Sequence, residues 1–115
     1  MTKIYHNPRC TKSRQTLALL EEHGIDADVV RYLDQPPSEA ELTEIIRLLG
    51  IEPKQLVRTK EKLFAELGLK GAELSEAQWI KTLADHPKLI ERPIVVHGNR
   101  AAIGRPPENV LEILR

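Results

Sequence analysis

"KIYHNPRCTKSRQTLALLEEHG", residues 3 to 24, carries the reading on which the fold turns. "KIYH" has the apolar and polar alternation of a short strand, and Asn7 and Pro8 break it. From about Thr11 to His23 the pattern is helical, with Leu17 and Leu20 three apart and Gly24 where a helix end favours a residue tolerant of positive φ. Cys10, the only cysteine in the chain, therefore falls at a strand-to-helix turn. Charge is sorted around it: Lys3, Arg9, Lys12 and Arg14 all precede the first carboxylate, Glu21. Acids and bases each number 17 over the whole chain, so the remainder is net negative by the same four. An anion is expected near Cys10.

At 115 residues the chain fits one domain, able to bury a core without disulfides or a structural metal. No apolar run approaches the roughly 18 residues that span a bilayer. "MTKIYHNP" lacks the apolar stretch of a signal peptide, which makes the cytoplasm the expected location. Net charge zero and only four aromatic residues argue against a nucleic-acid module. A single cysteine cannot form an internal disulfide, and in a reducing compartment it is either a small buried apolar residue or a reactive group.

Outward from the opening stretch, "DADVVRYL" (26 to 33) is a second strand candidate. A second helix is predicted from a capping box, Ser38 with Glu41, to about Leu49, closed by Gly50. Residues 53 to 89 read as a helical insert in short pieces, with another capping box at Ser75 and Gln78 and a core of Trp79, Ile80 and Leu83. "PIVVHGNRAAIG" reads as a hairpin turning at Gly98-Asn99, and "PPENVLEILR" as a last helix with Val110, Leu111 and Leu114 on one face. Two strands joined through a helix pair in parallel, and the hairpin extends the sheet antiparallel. The expectation is a single α/β domain over 1–115, a thioredoxin-like fold whose mixed sheet has about four strands, with the insert at about 53–89.

A thiol attacks as thiolate, a form favoured by a helix N-terminus and by neighbouring cations. Both are predicted for Cys10. Ser13, in the position where a C-x-x-C protein carries its second cysteine, is placed to donate a hydrogen bond to the sulfur. With no second cysteine, any redox cycle must draw its electrons from an external thiol. The plainer alternative is a cysteine used for packing beneath a solvated cationic face.

These residues, with "YLDQPPS" (32 to 38), "LVR" (56 to 58), "LGL" (67 to 69), "HP" (86 and 87), "RPIVV" (92 to 96) and "GRP" (104 to 106), resemble the glutaredoxin-coupled arsenate reductases over essentially the whole chain. "CTKS" stands where the dedicated resistance enzymes carry Gly-Thr between cysteine and serine. The resemblance implies a thioredoxin fold with a helical insert and the reduction of arsenate to arsenite. It makes Cys10 the nucleophile, Arg58, Arg92 and Arg105 the oxyanion ligands, and glutathione and glutaredoxin the reductants, glutathione being a co-substrate and no cofactor being bound. His6, with Ser13 and Arg14, would help keep the thiol deprotonated. Arginine suits the task because its guanidinium fork supplies several fixed donors and never loses its charge.

Each residue also has a simpler reading. Arg58 reads as a partner of a helix C-terminus, Arg92 as the neighbour of an edge-strand proline, Arg105 as a surface cation and His6 as the end of a local hydrogen bond. In thioredoxin folds the peptide before this strand is commonly cis and faces the active cysteine, which makes Arg92-Pro93 a candidate for that bond. His23, His86 and His97 lack metal-ligand spacing. Two rival functions stand beside the reductase: a glutathione-dependent thiol oxidoreductase with little arsenate activity, and an Spx-like regulator that binds RNA polymerase. Ser13 in place of a second cysteine counts against the regulator.

Overall fold

In the computed structural model, which describes residues 1–114, the chain divides into two compact units. One takes in residues 1–35 and 92–115, the other 36–91.

The first unit is built on a four-stranded sheet in the order β2-β1-β3-β4, with β1 at Thr2–His6, β2 at Asp28–Arg31, β3 at Ile94–His97 and β4 at Arg100–Ile103. β1 pairs in parallel with β2 and antiparallel with β3, so that Ile4 lies opposite Val29 on one side and Val95 on the other. β3 and β4 form the expected hairpin, His97 opposite Arg100, with Gly98 and Asn99 as the turn. Helix α1, Thr11–Glu22, makes the crossover that a parallel pair requires. Ile4 and Val95 of the sheet, Leu20 of α1, and Val110 and Ile113 close to the C-terminus form the core.

The last segment, Pro107–Leu114, is a 3₁₀ helix. Its buried residues are Pro107, Val110 and Ile113. That spacing of three follows from three residues per turn, which brings every third side chain into line. The predicted face of Val110, Leu111 and Leu114 assumed an α-helical period, so Ile113 takes the buried place given to Leu111 and Leu114, which stay only partly buried.

The second unit holds α2 (Glu39–Leu49), α3 (Lys62–Glu66), α4 (Glu76–Asp85) and 3₁₀ turns at Pro53–Leu56 and Pro87–Leu89. It begins at Pro36 and so includes α2. Both predicted capping boxes are present: Ser38 accepts from the Glu41 N–H and Ser75 from the Gln78 N–H, and each N3 side chain answers to the cap's own N–H. Gly50 ends α2 at φ +67°, a conformation a β-carbon disfavours. Leu42, Leu56, Leu83 and Leu89 are fully buried and Trp79 nearly so, whereas Ile80, expected in the same core as Trp79 and Leu83, is only partly buried. Val57 bridges antiparallel to Ile90, with Arg58 N–H donating to Leu89 O (2.7 Å) and Glu91 N–H to Leu56 O (2.8 Å). Among the described residues no helix is long and apolar enough to cross a membrane.

Candidate active site

Cys10 is the N-cap residue of α1, in extended conformation (φ −93°, ψ 122°). Its carbonyl accepts the first helical bond, from Arg14 N–H at 3.0 Å, and its own N–H donates to Asn7 O at 3.0 Å. A Ser, Thr, Asn or Asp at this position would fold its side-chain oxygen back onto the first turn. Cysteine does not, and α1 has no side-chain cap. The amides of Thr11, Lys12 and Ser13, which like those of any first turn lack an intrahelical acceptor, consequently receive no side-chain cap either, and their partial positive charge is directed at the end of the helix that carries the sulfur.

The thiol is only 9% exposed, yet its surroundings are polar. Arg105 Nη2 lies 3.8 Å from Cys10 Sγ. Arg105 is aimed there from a second point: its Nε donates to the carbonyl of Arg92 at 2.8 Å. Its backbone is held by Asn109 Nδ2, which donates to Arg105 O at 2.9 Å. The segment before Arg105 is tightly seated against the loop that carries Arg92. Gly104 N–H donates to Pro93 O at 2.9 Å, and a β-carbon at residue 104 would overlap Thr16 Oγ1 of α1 and lie 2.8 Å from Pro93 Cγ. Only glycine fits there. The Arg92-Pro93 peptide is cis, and so is Arg105-Pro106.

Behind the sulfur's loop lies a buried polar cluster. Ser13 Oγ is fully buried, accepts from Asn7 N–H at 3.0 Å and is 2.6 Å from His6 Nδ1. Burial, followed by the positive charges of Arg31 and Arg14, holds His6 below its ordinary value near 6.5. A neutral imidazole satisfies the cluster when Nδ1 accepts from the Ser13 hydroxyl, which itself accepts from Asn7 N–H. Asn7 Oδ1 accepts from Arg9 N–H at 3.0 Å, which closes the turn of residues 7 to 10.

Of the residues singled out in the sequence, Cys10, His6, Ser13, Arg14, Arg92 and Arg105 all lie in the sheet unit. Arg105 reaches the sulfur directly. Ser13 and His6, expected at the thiol, instead bond to each other and brace the turn from within. Arg14 donates to Pro8 O at 2.9 Å and to Thr11 Oγ1 at 3.2 Å, so it clamps the loop to the helix. Arg92 contributes its carbonyl to the aim of Arg105. Arg58 belongs to the helical unit, where its guanidinium meets Glu61 Oε2 at 3.2 Å and Glu91 Oε1 at 3.7 Å. Asn7, Thr16, Gly104 and Asn109 were not singled out; Gly104 sits within the quoted "GRP", and that adjacency to Arg105 was the available signal.

A four-stranded mixed sheet with a lone cysteine at the start of its first helix defines a thioredoxin-like protein of the single-cysteine kind. More narrowly, the chain belongs to the ArsC family, whose model matches residues 5–113. It is 52% identical over 112 residues to the "Arsenate reductase" of Haemophilus influenzae, covering 96% of this chain and 97% of that one. It is 52% identical over 113 residues to "Uncharacterized protein YfgD" of Escherichia coli, with 97% and 95% covered. The structure of "Arsenate reductase from Vibrio cholerae" superposes with a TM-score of 0.94 at 51% identity, covering 97% of this chain and 96% of that one.

Proposed function

We propose that the protein is an arsenate reductase in which Cys10 forms a covalent bond to arsenic, with glutathione and glutaredoxin as reductants. The observation that supports this most is Arg105 Nη2 at 3.8 Å from a sulfur that caps an otherwise uncapped helix. A guanidinium and a fan of free amides around one sulfur suit a tetrahedral oxyanion that must come within bonding distance of a thiolate. The names of close relatives point the same way.

In this reading the Cys10 thiolate attacks arsenic and one arsenate oxygen leaves as water, with no change in oxidation state. Glutathione then adds to arsenic as a second oxygen leaves as water. A glutaredoxin thiolate attacks the glutathione sulfur, the electron pair of the S–As bond stays on arsenic, and arsenic falls from V to III as the mixed disulfide departs. Water then displaces Cys10 and frees arsenite. Arg105 holds the oxyanion from the position described; Arg92 and Arg58 join it on the resemblance alone. Ser13, His6 and Arg14 act on the loop that presents the thiol.

The test is glutaredoxin-coupled arsenate turnover for the parent and Cys10→Ser side by side. The variant is expected to fall to background, and one that retained full turnover would overturn the assignment. Turnover of the parent on a glutathione mixed disulfide, run in parallel, is expected to be the smaller activity. The reverse order would favour a general thiol oxidoreductase.

A further inference from the structure

On the side of the turn that His6 reaches, a cleft of about 450 Å³ is lined by His6, Asn7, Pro8, Arg9, Arg31, Leu33 and Asp34. Its size falls within the range of small-molecule sites, about 300–1,000 Å³. All of its walls belong to the sheet unit, and three of its residues, Asn7 to Arg9, are the turn that leads into Cys10. The second wall is the exit from β2, where the N–H groups of Asp34 and Gln35 both donate to Arg31 O, at 3.0 and 2.8 Å. That turn brings Arg31, Leu33 and Asp34 to one side.

The charges here are unspent. Arg9, Arg31 and Asp34 are exposed, and among the described residues no ion pair engages any of them. They differ in this from Arg47, which is paired with Glu44, and from Lys81, which is paired with Asp85. Two guanidinium groups and one carboxylate therefore face a common space with an excess of one positive charge, since the neighbouring imidazole is held neutral by burial and by Arg31. Leu33, 42% exposed, adds an apolar patch.

A ligand complementary to this set carries two carboxylates and one ammonium on a short, partly apolar frame. Under the function proposed above, a small thiol must come to rest beside Cys10. We propose that this cleft is the docking subsite for that thiol, a dicarboxylate peptide whose acid groups bind Arg9 and Arg31 and whose ammonium binds Asp34. Guanidinium forks fix a carboxylate in direction as well as in place, so binding here would set the angle from which the thiol meets the adduct. The inference rests on the reductase reading for the identity of the thiol, but the site itself stands on the cleft and its charges.

The experiment uses S-methylglutathione, which keeps both carboxylates and the ammonium but has no reactive sulfur. Titrated into the isotope-labelled full chain, it is expected to shift the amide signals of Asn7, Arg9, Arg31 and Asp34. Arg31→Ala is expected to weaken binding by about tenfold, the loss typical of one charge-assisted contact. In the parent, N-acetylation of the probe should also weaken binding, and Asp34→Asn should abolish that difference. Signals shifting elsewhere, or Arg31→Ala binding as tightly as the parent, would overturn the subsite. The titration needs neither arsenate nor turnover. Intact binding with a silent arsenate assay would therefore count against the reductase reading alone, and good turnover with unmoved cleft signals against the subsite alone.

Discussion

The two units treat their helix ends and their polar groups in opposite ways. In the helical unit, Ser38 and Ser75 cap α2 and α4 with their own side chains, and the core is Leu, Ile, Val, Phe and Trp. In the sheet unit, the one long helix starts on a cysteine with no side-chain cap. Among the described residues every buried polar side chain also belongs to the sheet unit: Thr2, His6, Asn7, Ser13 and Thr16. Open amides and internal hydroxyls add nothing that an apolar core and a serine cap would not supply more cheaply in stability. The difference separates the unit that carries the candidate site from the one whose polar groups serve its helix ends.

The comparison breaks most visibly at Leu83. It is fully buried, and Leu83→Ala is expected to lower unfolding free energy by about 2–5 kcal/mol while leaving the rate of Cys10 alkylation by iodoacetamide unchanged under folding conditions. Every contact described around Cys10 comes from the sheet unit, so a large change in that rate would mean the site is not self-supporting. A sharper test inverts the capping contrast. Ser75→Ala should cost about 1 kcal/mol, whereas Cys10→Asp, which gives α1 the cap it lacks beside the Arg105 guanidinium, should gain about 1 kcal/mol as it abolishes thiol chemistry. Urea midpoints at constant slope read both, and a Cys10→Asp chain no more stable than the parent would show that the first turn is not open.

The smallest effect expected is on the acid side. His6 is held below its ordinary value near 6.5, so the unfolded chain takes up this proton first. Its contribution is complete above that value and declines as pH falls toward the lowered folded value. His6→Gln is expected to flatten the decline in a pH series of unfolding free energies, and an unchanged slope would remove His6 as its source. In the tautomer whose Nδ1 accepts from the Ser13 hydroxyl at 2.6 Å, protonation puts a hydrogen on Nδ1 and the hydroxyl must turn to another acceptor.

Much of this was legible in the residues because local rules govern it. Ser-x-x-Glu and Ser-x-x-Gln announced the caps of α2 and α4, Gly98-Asn99 the hairpin, and Pro8 the break that leaves Cys10 at the start of α1. What was not legible depends on partners remote in the chain or on competition among acceptors. Ser13 had two plausible uses, and the nearness of a buried imidazole decided between them. Arg14 is taken up by the Pro8 carbonyl of the loop and the Thr11 hydroxyl of α1. The C-terminal period of three rather than 3.6 turns on backbone geometry that a run of apolar residues does not encode. Arg58 sits where Glu61 and Glu91 compete for its charge, and one of those lies 33 positions away.

The bond between Arg105 and Cys10 spans 95 positions. On a ribosome, the guanidinium that steadies the sulfur is synthesised 95 residues after it. Until that interval has been translated, the thiol lacks the partner that reaches it in the folded chain.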